Sequence, residues 1–133
     1  MRDYVRLQTA ILLRRFAYEV GHVARSASPE AIHDLRVSMR RLAVCLRLFA
    51  DFYPEHAGKK IRQRLTPLME LTGTVRNLDV ALDLVGQAGV PARAALAARM
   101  REERRKAANR LRREVGHWKA LGFSRKWRNR LGL

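Results

Sequence analysis

An all-α fold, an antiparallel four-helix bundle, is what this sequence of 133 residues predicts, on three observations. Apolar residues recur at helical spacing through four long stretches, with little of the strict alternation that marks strands. The breaks between these stretches are short: Ser26–Glu30, Glu55–Gly58 and Gly86–Pro91. Amphipathic helices joined by short connections pack as antiparallel neighbours. The length suits one domain with a real core. Residues 1–121 are therefore expected to form the bundle and residues 122–133 a basic C-terminal tail.

The first helix runs from about Tyr4 to Arg25, with Val5, Thr9, Leu12, Leu13, Phe16, Val20 and Val23 as its buried stripe. Ser28 is placed as an N-cap and Pro29 at the first helical position of the second helix. That helix is expected to last to Tyr53 and to stop at Pro54, because the residue before proline is pushed out of the α region. The third helix spans Lys59 to about Gly86 and faces the core with Ile61, Leu65, Leu68, Leu71, Val75, Leu78, Leu82 and Val85. Pro67 and Gly73 inside it predict a kink or a restart. The fourth, from about Pro91 to Ala120, uses Leu96, Ala97, Met100, Ala107, Leu111, Val115 and Trp118. Residues 122–133 carry Arg125, Lys126, Arg128 and Arg130 around Trp127 and show no clear core pattern.

The second helix has two incompatible faces. At about 100° per residue, Ile32, Leu35, Met39, Leu42, Leu46, Phe49 and Tyr53 fall on one side, and His33, Arg36, Arg40 and Arg47 in a strip roughly 60° wide on another. Like charges at helix-neighbour spacing repel by a few tenths of a kcal/mol per pair, so such a row implies an anionic partner. For His33 alone, a structural and an anion-binding role are both open. Composition agrees: 28 Lys plus Arg against 12 Asp plus Glu leave a net charge of +16. Most of these cations are arginines, whose planar fork matches phosphate oxygens bidentately. On charge alone, nucleic acid, polyphosphate and anionic membrane surfaces all stand.

The third helix offers a second wall, with Lys59, Arg62 and Arg76 beside its apolar stripe. Asp79 follows Arg76 at helix ion-pair spacing and is expected to satisfy it, or another arginine near the core, from behind the site. On the fourth helix Arg101, Arg105, Arg112 and Lys119 share a face, but Glu102, Glu103 and Glu114 are interleaved with them, as on a solvated surface.

Other features exclude function classes. The four histidines show no zinc-ligand spacing, and no glycine-rich phosphate loop occurs. Cys45 beside an apolar face reads as a small buried hydrophobe. No run of about 18 apolar residues is present, so no membrane span is expected. The opening residues lack a signal peptide's apolar region, which makes the cytoplasm the default expectation.

Two motifs carry a family resemblance. Ala31-Ile32-His33-Asp34-Leu35-Arg36-Val37-Ser38-Met39-Arg40-Arg41-Leu42, then Gly73-Thr74-Val75-Arg76-Asn77-Leu78-Asp79-Val80 some thirty residues on, resemble the CHAD family, the conserved histidine α-helical domain. The resemblance centres on residues 29–86. It implies an all-helical fold that binds inorganic polyphosphate in a basic groove, with some members on polyphosphate granules and some fused to a CYTH-type triphosphatase. By position it implicates His33, Arg36, Arg40 and Arg41, then Arg76 and Asp79; helical geometry and charge add Arg47 and Arg62. Asn77 and Ala43 depart from the family pattern, each removing a charge. A full family domain has two four-helix halves, and no second His-x-x-Arg-x-x-x-Arg follows residue 86. A single half is therefore expected, with a homodimer as one way to complete the site.

The expected function is non-catalytic binding of inorganic polyphosphate, with neither metal nor cofactor. Polyphosphate has no bases, so a line of arginines suffices, whereas single-stranded nucleic acid is usually held by exposed aromatic platforms as well. Of the aromatics weighed, Phe16, Phe49, Tyr53 and Trp118 fall on core stripes and Trp127 is the exception. Nucleic-acid binding by the fourth helix and the tail is the alternative. An enzyme of phosphate metabolism ranks third, since no carboxylate cluster suited to magnesium is visible.

Overall fold

Five α-helices account for most of the chain, and no strand forms. The computed structural model describes residues 1–133. The helices are α1 (Arg2–Arg25), α2 (Pro29–Leu48), α3 (Ala57–Gln87), α4 (Ala95–Ala120) and α5 (Phe123–Leu131), with a 3-10 turn, Ala50–Phe52, after α2. The first four form a closed ring in which each packs on its chain neighbour and α4 returns to α1. Neighbours run antiparallel: Thr9 of α1 meets Cys45 near the end of α2, and Arg36 of α2 meets Thr72 of α3. Their apolar stripes, joined by Tyr53 and by Phe123, Trp127 and Leu131 of α5, merge into one core of 23 buried residues. The start of α2 is built as its residues dictate, with Ser28 Oγ accepting from the Ala31 N–H at 3.2 Å and Pro29 entering the first turn.

Several elements differ from expectation. The second helix ends at Leu48, not at Tyr53. The 3-10 turn then re-aims Tyr53, which Pro54 holds extended at φ −102° and ψ 158°. The Tyr53 hydroxyl thereby reaches the Thr9 hydroxyl at 2.6 Å, with Cys45 Sγ 3.7 Å away. Burial pushes the Tyr53 phenol above its ordinary pKa, while the Thr9 bond opposes the shift. Cys45 is buried there, as expected.

The third helix continues through both Pro67 and Gly73 without a restart. Its core face is narrower than expected: Val75 is its last buried residue, and Leu78, Leu82 and Val85 are only half-buried. The fourth helix starts at Ala95, because Pro91 to Ala94 close a turn in which the Ala94 N–H donates to the Pro91 carbonyl.

Residues 122–133 are not a tail. Gly122, at φ 64°, turns the chain through a left-handed conformation that a side chain would resist, and α5 begins at the next residue. Phe123, Trp127 and Leu131 of α5 are buried. Phe16, Trp118, Phe123 and Trp127 form an aromatic knot with centroid separations of 5.2–6.1 Å, in which Phe16 and Trp127 stack nearly parallel at 5.9 Å. Such contacts add to area burial. Trp127→Ala is expected to lower the unfolding free energy by about 3–5 kcal/mol, and Arg125→Ala by no more than about 0.5 kcal/mol. Urea denaturation of the two variants checks this, and equal effects would contradict the packing described.

Candidate arginine site along the α2–α3 seam

Antiparallel packing of α2 on α3 brings the two rows of arginines into one line. Arg40 and Arg47 of α2 and Arg62 of α3 line a hollow of about 280 Å³, floored by Met39, Leu65 and Met69. Farther along the same seam lie Arg36 and Arg76. From Arg62 to Arg76 the helical rise of about 1.5 Å per residue gives a track of roughly 20 Å.

Arg36 is the fixed point of this line. Its Nη1 donates to the Met69 carbonyl at 2.9 Å and to Thr72 Oγ1 at 3.0 Å. A Cβ on Gly73 would lie 3.1 Å from that same Nη1. Gly73 therefore makes room for the guanidinium, which explains a glycine inside a continuous helix better than a kink does. Burial holds the Arg36 pKa below the usual arginine value, and the nearby charges of Arg40 and Arg76 lower it further. Arg36 remains cationic, so its environment favours an arriving anion.

None of Arg36, Arg40, Arg47, Arg62 and Arg76 has a carboxylate within ion-pair distance; the arginine–carboxylate pairs of the chain are Arg15–Glu19, Arg104–Asp79 and Arg105–Glu102. Arg62 Nε is in addition buried with no acceptor in the protein, and buried polar groups are normally satisfied. The seam thus holds five guanidiniums whose charge the protein leaves uncompensated.

His33 and Arg41 open on the other flank of α2. They line a hollow of about 310 Å³ between α1 and α2, together with Arg15, Asp34 and Ser38. Two acids temper that hollow: Asp34 lines it, and Glu19 Oε1 holds Arg15 Nε at 2.9 Å. The eight site residues expected from sequence therefore fall into a seam group of five, a flank pair, and Asp79.

Of the two partners expected for Asp79, Arg76 is not used and another arginine near the core, Arg104, is. Asp79 Oδ1 accepts from Arg104 Nε of α4 at 2.7 Å, and Arg104 Nη2 also donates to the Ala27 carbonyl at 2.6 Å. The pair ties α3 and α4 to the α1–α2 turn rather than orienting a seam arginine. Arg104, Arg15 and the α1-capping Arg112, which donates to the Ala24 carbonyl, have roles absent from the sequence expectations. The Arg104 and Arg112 contacts need partners distant in sequence to become visible, whereas Arg15–Glu19 is a local helix pair at i,i+4 spacing.

Asp79→Asn is expected to lower the unfolding free energy by about 2 kcal/mol, since the carboxylate is largely buried and its loss leaves Arg104 half-satisfied. Urea unfolding measures it, and a loss below about 0.5 kcal/mol would contradict the clamp.

No helix is long and apolar enough to cross a membrane. No curated protein and no solved structure matches the chain. A family model for the CHAD domain matches residues 8–132, nearly the whole sequence, and so takes in all five helices rather than the two motifs alone. The chain belongs to the CHAD family.

Proposed function

We propose that the chain binds inorganic polyphosphate along the α2–α3 seam without catalysing its turnover. The observation that carries this reading is the row of five arginines with no carboxylate partner. A linear polyanion supplies what they lack: phosphate oxygens spaced along a line, each able to accept charge-assisted hydrogen bonds. Arg36, already fixed by two acceptors on α3, needs little ordering on binding. Membership of the CHAD family points the same way. His33 and Arg41, which line the hollow on the other flank of α2, are assigned to the same ligand as part of this proposal.

The aromatic residues favour polyphosphate over single-stranded nucleic acid. Trp118 and Trp127 are buried, and no aromatic ring lines the hollow between Arg40, Arg47 and Arg62; Tyr4 and Phe49 stand only in the hollow at its border, so no row of stacking platforms follows the cations. The cytoplasm, and polyphosphate granules within it, belong to the same proposal.

A second copy is proposed to supply the other half of the site. Tyr4, Leu7 and Ile11 of α1 and Leu48 of α2 are exposed. Tyr4, Leu48 and Val44 share a hollow with Arg40, so apolar surface borders the seam. Two copies at +16 each repel, and a bound polyanion relieves that repulsion.

Arg36→Glu with Arg40→Glu should weaken long-chain polyphosphate binding by at least about a hundredfold while leaving helicity unchanged. Calorimetric titration and circular dichroism measure the two, with sedimentation of the same samples reporting dimer formation. Wild-type polyphosphate should displace an oligonucleotide far better than the reverse at equal phosphate and matched salt. Unchanged affinity in the charge-reversed variant would refute the assignment.

A further inference from the structure

The face of α4 beside the α1–α2 turn carries a second set of cations that the seam does not use. A hollow of about 560 Å³ lies there, and Arg25, Arg101, Arg105 and Arg112 all border it. An adjoining hollow of about 680 Å³ shares Asn109 and Arg112 with it and adds Lys106, Arg110 and Arg113. Together they follow α4 for about 18 Å, at about 1.5 Å per residue from Arg101 to Arg113.

Two of these arginines are held in place without being neutralised. Arg101 Nη2 donates to the Ala92 carbonyl at 2.6 Å. Arg112 Nε and Nη2 donate to the Ala24 carbonyl at 3.3 and 3.2 Å, and Nη2 also approaches the Arg25 carbonyl at 3.4 Å. A carbonyl fixes a guanidinium yet leaves its full charge and its remaining N–H groups available. These bonds also occupy carbonyls at the C-terminal end of α1, which would otherwise repel an anion. Below them, Arg104 is committed to Asp79 and forms a wall. Arg105 is paired with Glu102, but both are exposed, and exposed ion pairs contribute little and exchange readily for a phosphate.

We infer that this α4 face is a second, separate binding site for a short inorganic phosphate chain. Arg101 and Arg112 are prearranged, the hollows are shallow and open, and no aromatic side chain lines them, so a phosphate chain without bases suits the face better than a nucleic acid does. Glu102, Glu103 and Glu114 on the same helix do not cancel the set, because Glu103 and Glu114 form no ion pair with it and Glu102 engages Arg105 alone. The site shares its ligand chemistry with the seam but none of its residues, so the two can fail independently.

Calorimetric titration of the full chain with inorganic tripolyphosphate tests it. The wild type should show two classes of site. Arg101→Gln with Arg112→Gln should weaken one class by about tenfold or more and spare the other, and Arg36→Gln with Arg40→Gln should do the converse. Because Arg112 also caps α1, the triple variant Arg101→Gln, Arg110→Gln, Arg113→Gln, which keeps that cap, serves as a second probe and should show the same selective loss. An isotherm for both α4 variants that matches the wild type overturns the second site and leaves the seam standing. Loss of all binding in the α4 variants, with the seam variant unchanged, upholds the second site and overturns the seam.

Discussion

Uncompensated positive charge is the constraint under which this bundle is built. Five arginines share one helix seam with no acid among them, and three arginines in the whole chain have a carboxylate partner. Mutual repulsion on that scale opposes the compact state, so stability has to come from elsewhere. The 23-residue apolar core and the aromatic knot closed by α5 provide it. Arg104 adds a clamp by joining α3, α4 and the α1–α2 turn through Asp79 and the Ala27 carbonyl. Acids are scarce, and the ones that act structurally sit away from the seam. Asp79 is turned towards α4, and Glu19 is buried in α1 against Arg15.

The same constraint separates what periodicity revealed from what it could not. Helical spacing and the Ser28–Pro29 start located α1 to α4, because each buries one stripe and the apolar residues there follow the 3.6-residue repeat. The last helix is masked in the sequence although Phe123, Trp127 and Leu131 lie four residues apart, since cations crowd the nine-residue segment. Tyr53 continued the α2 stripe on a helical wheel, but Pro54 and the 3-10 turn take it out of the helix and into a hydrogen bond with Thr9. Gly73 reads as a weak point in α3 on sequence alone, but the Arg36 guanidinium packs against it.

For the site, one helix wheel was enough to line up Arg36, Arg40 and Arg47, and the flank of α3 supplied Arg62 and Arg76. What the wheel lacks is the identity of the neighbour on each side. His33 stands at the edge of the strip, and only the packing of α1 shows that it shares a hollow with Arg15 and Arg41 rather than with Arg62. Asp79 shows the same limit: its sequence neighbour Arg76 was at ion-pair spacing, yet a residue of α4 takes the carboxylate. Local spacing therefore lines up the cations within a helix but does not give the partners that packing brings to them.

That asymmetry leaves the seam defined by what its arginines lack, and their side-chain signals report directly on whether polyphosphate fills the gap. The decisive measurement is side-chain nitrogen NMR of the arginine Nε–H groups during titration with long-chain polyphosphate. Arg36, Arg40, Arg47, Arg62 and Arg76 should shift together and saturate at one ligand ratio, with the Trp118 and Trp127 indole signals unmoved. Five seam signals that stay in place while polyphosphate binds elsewhere on the chain would contradict the account.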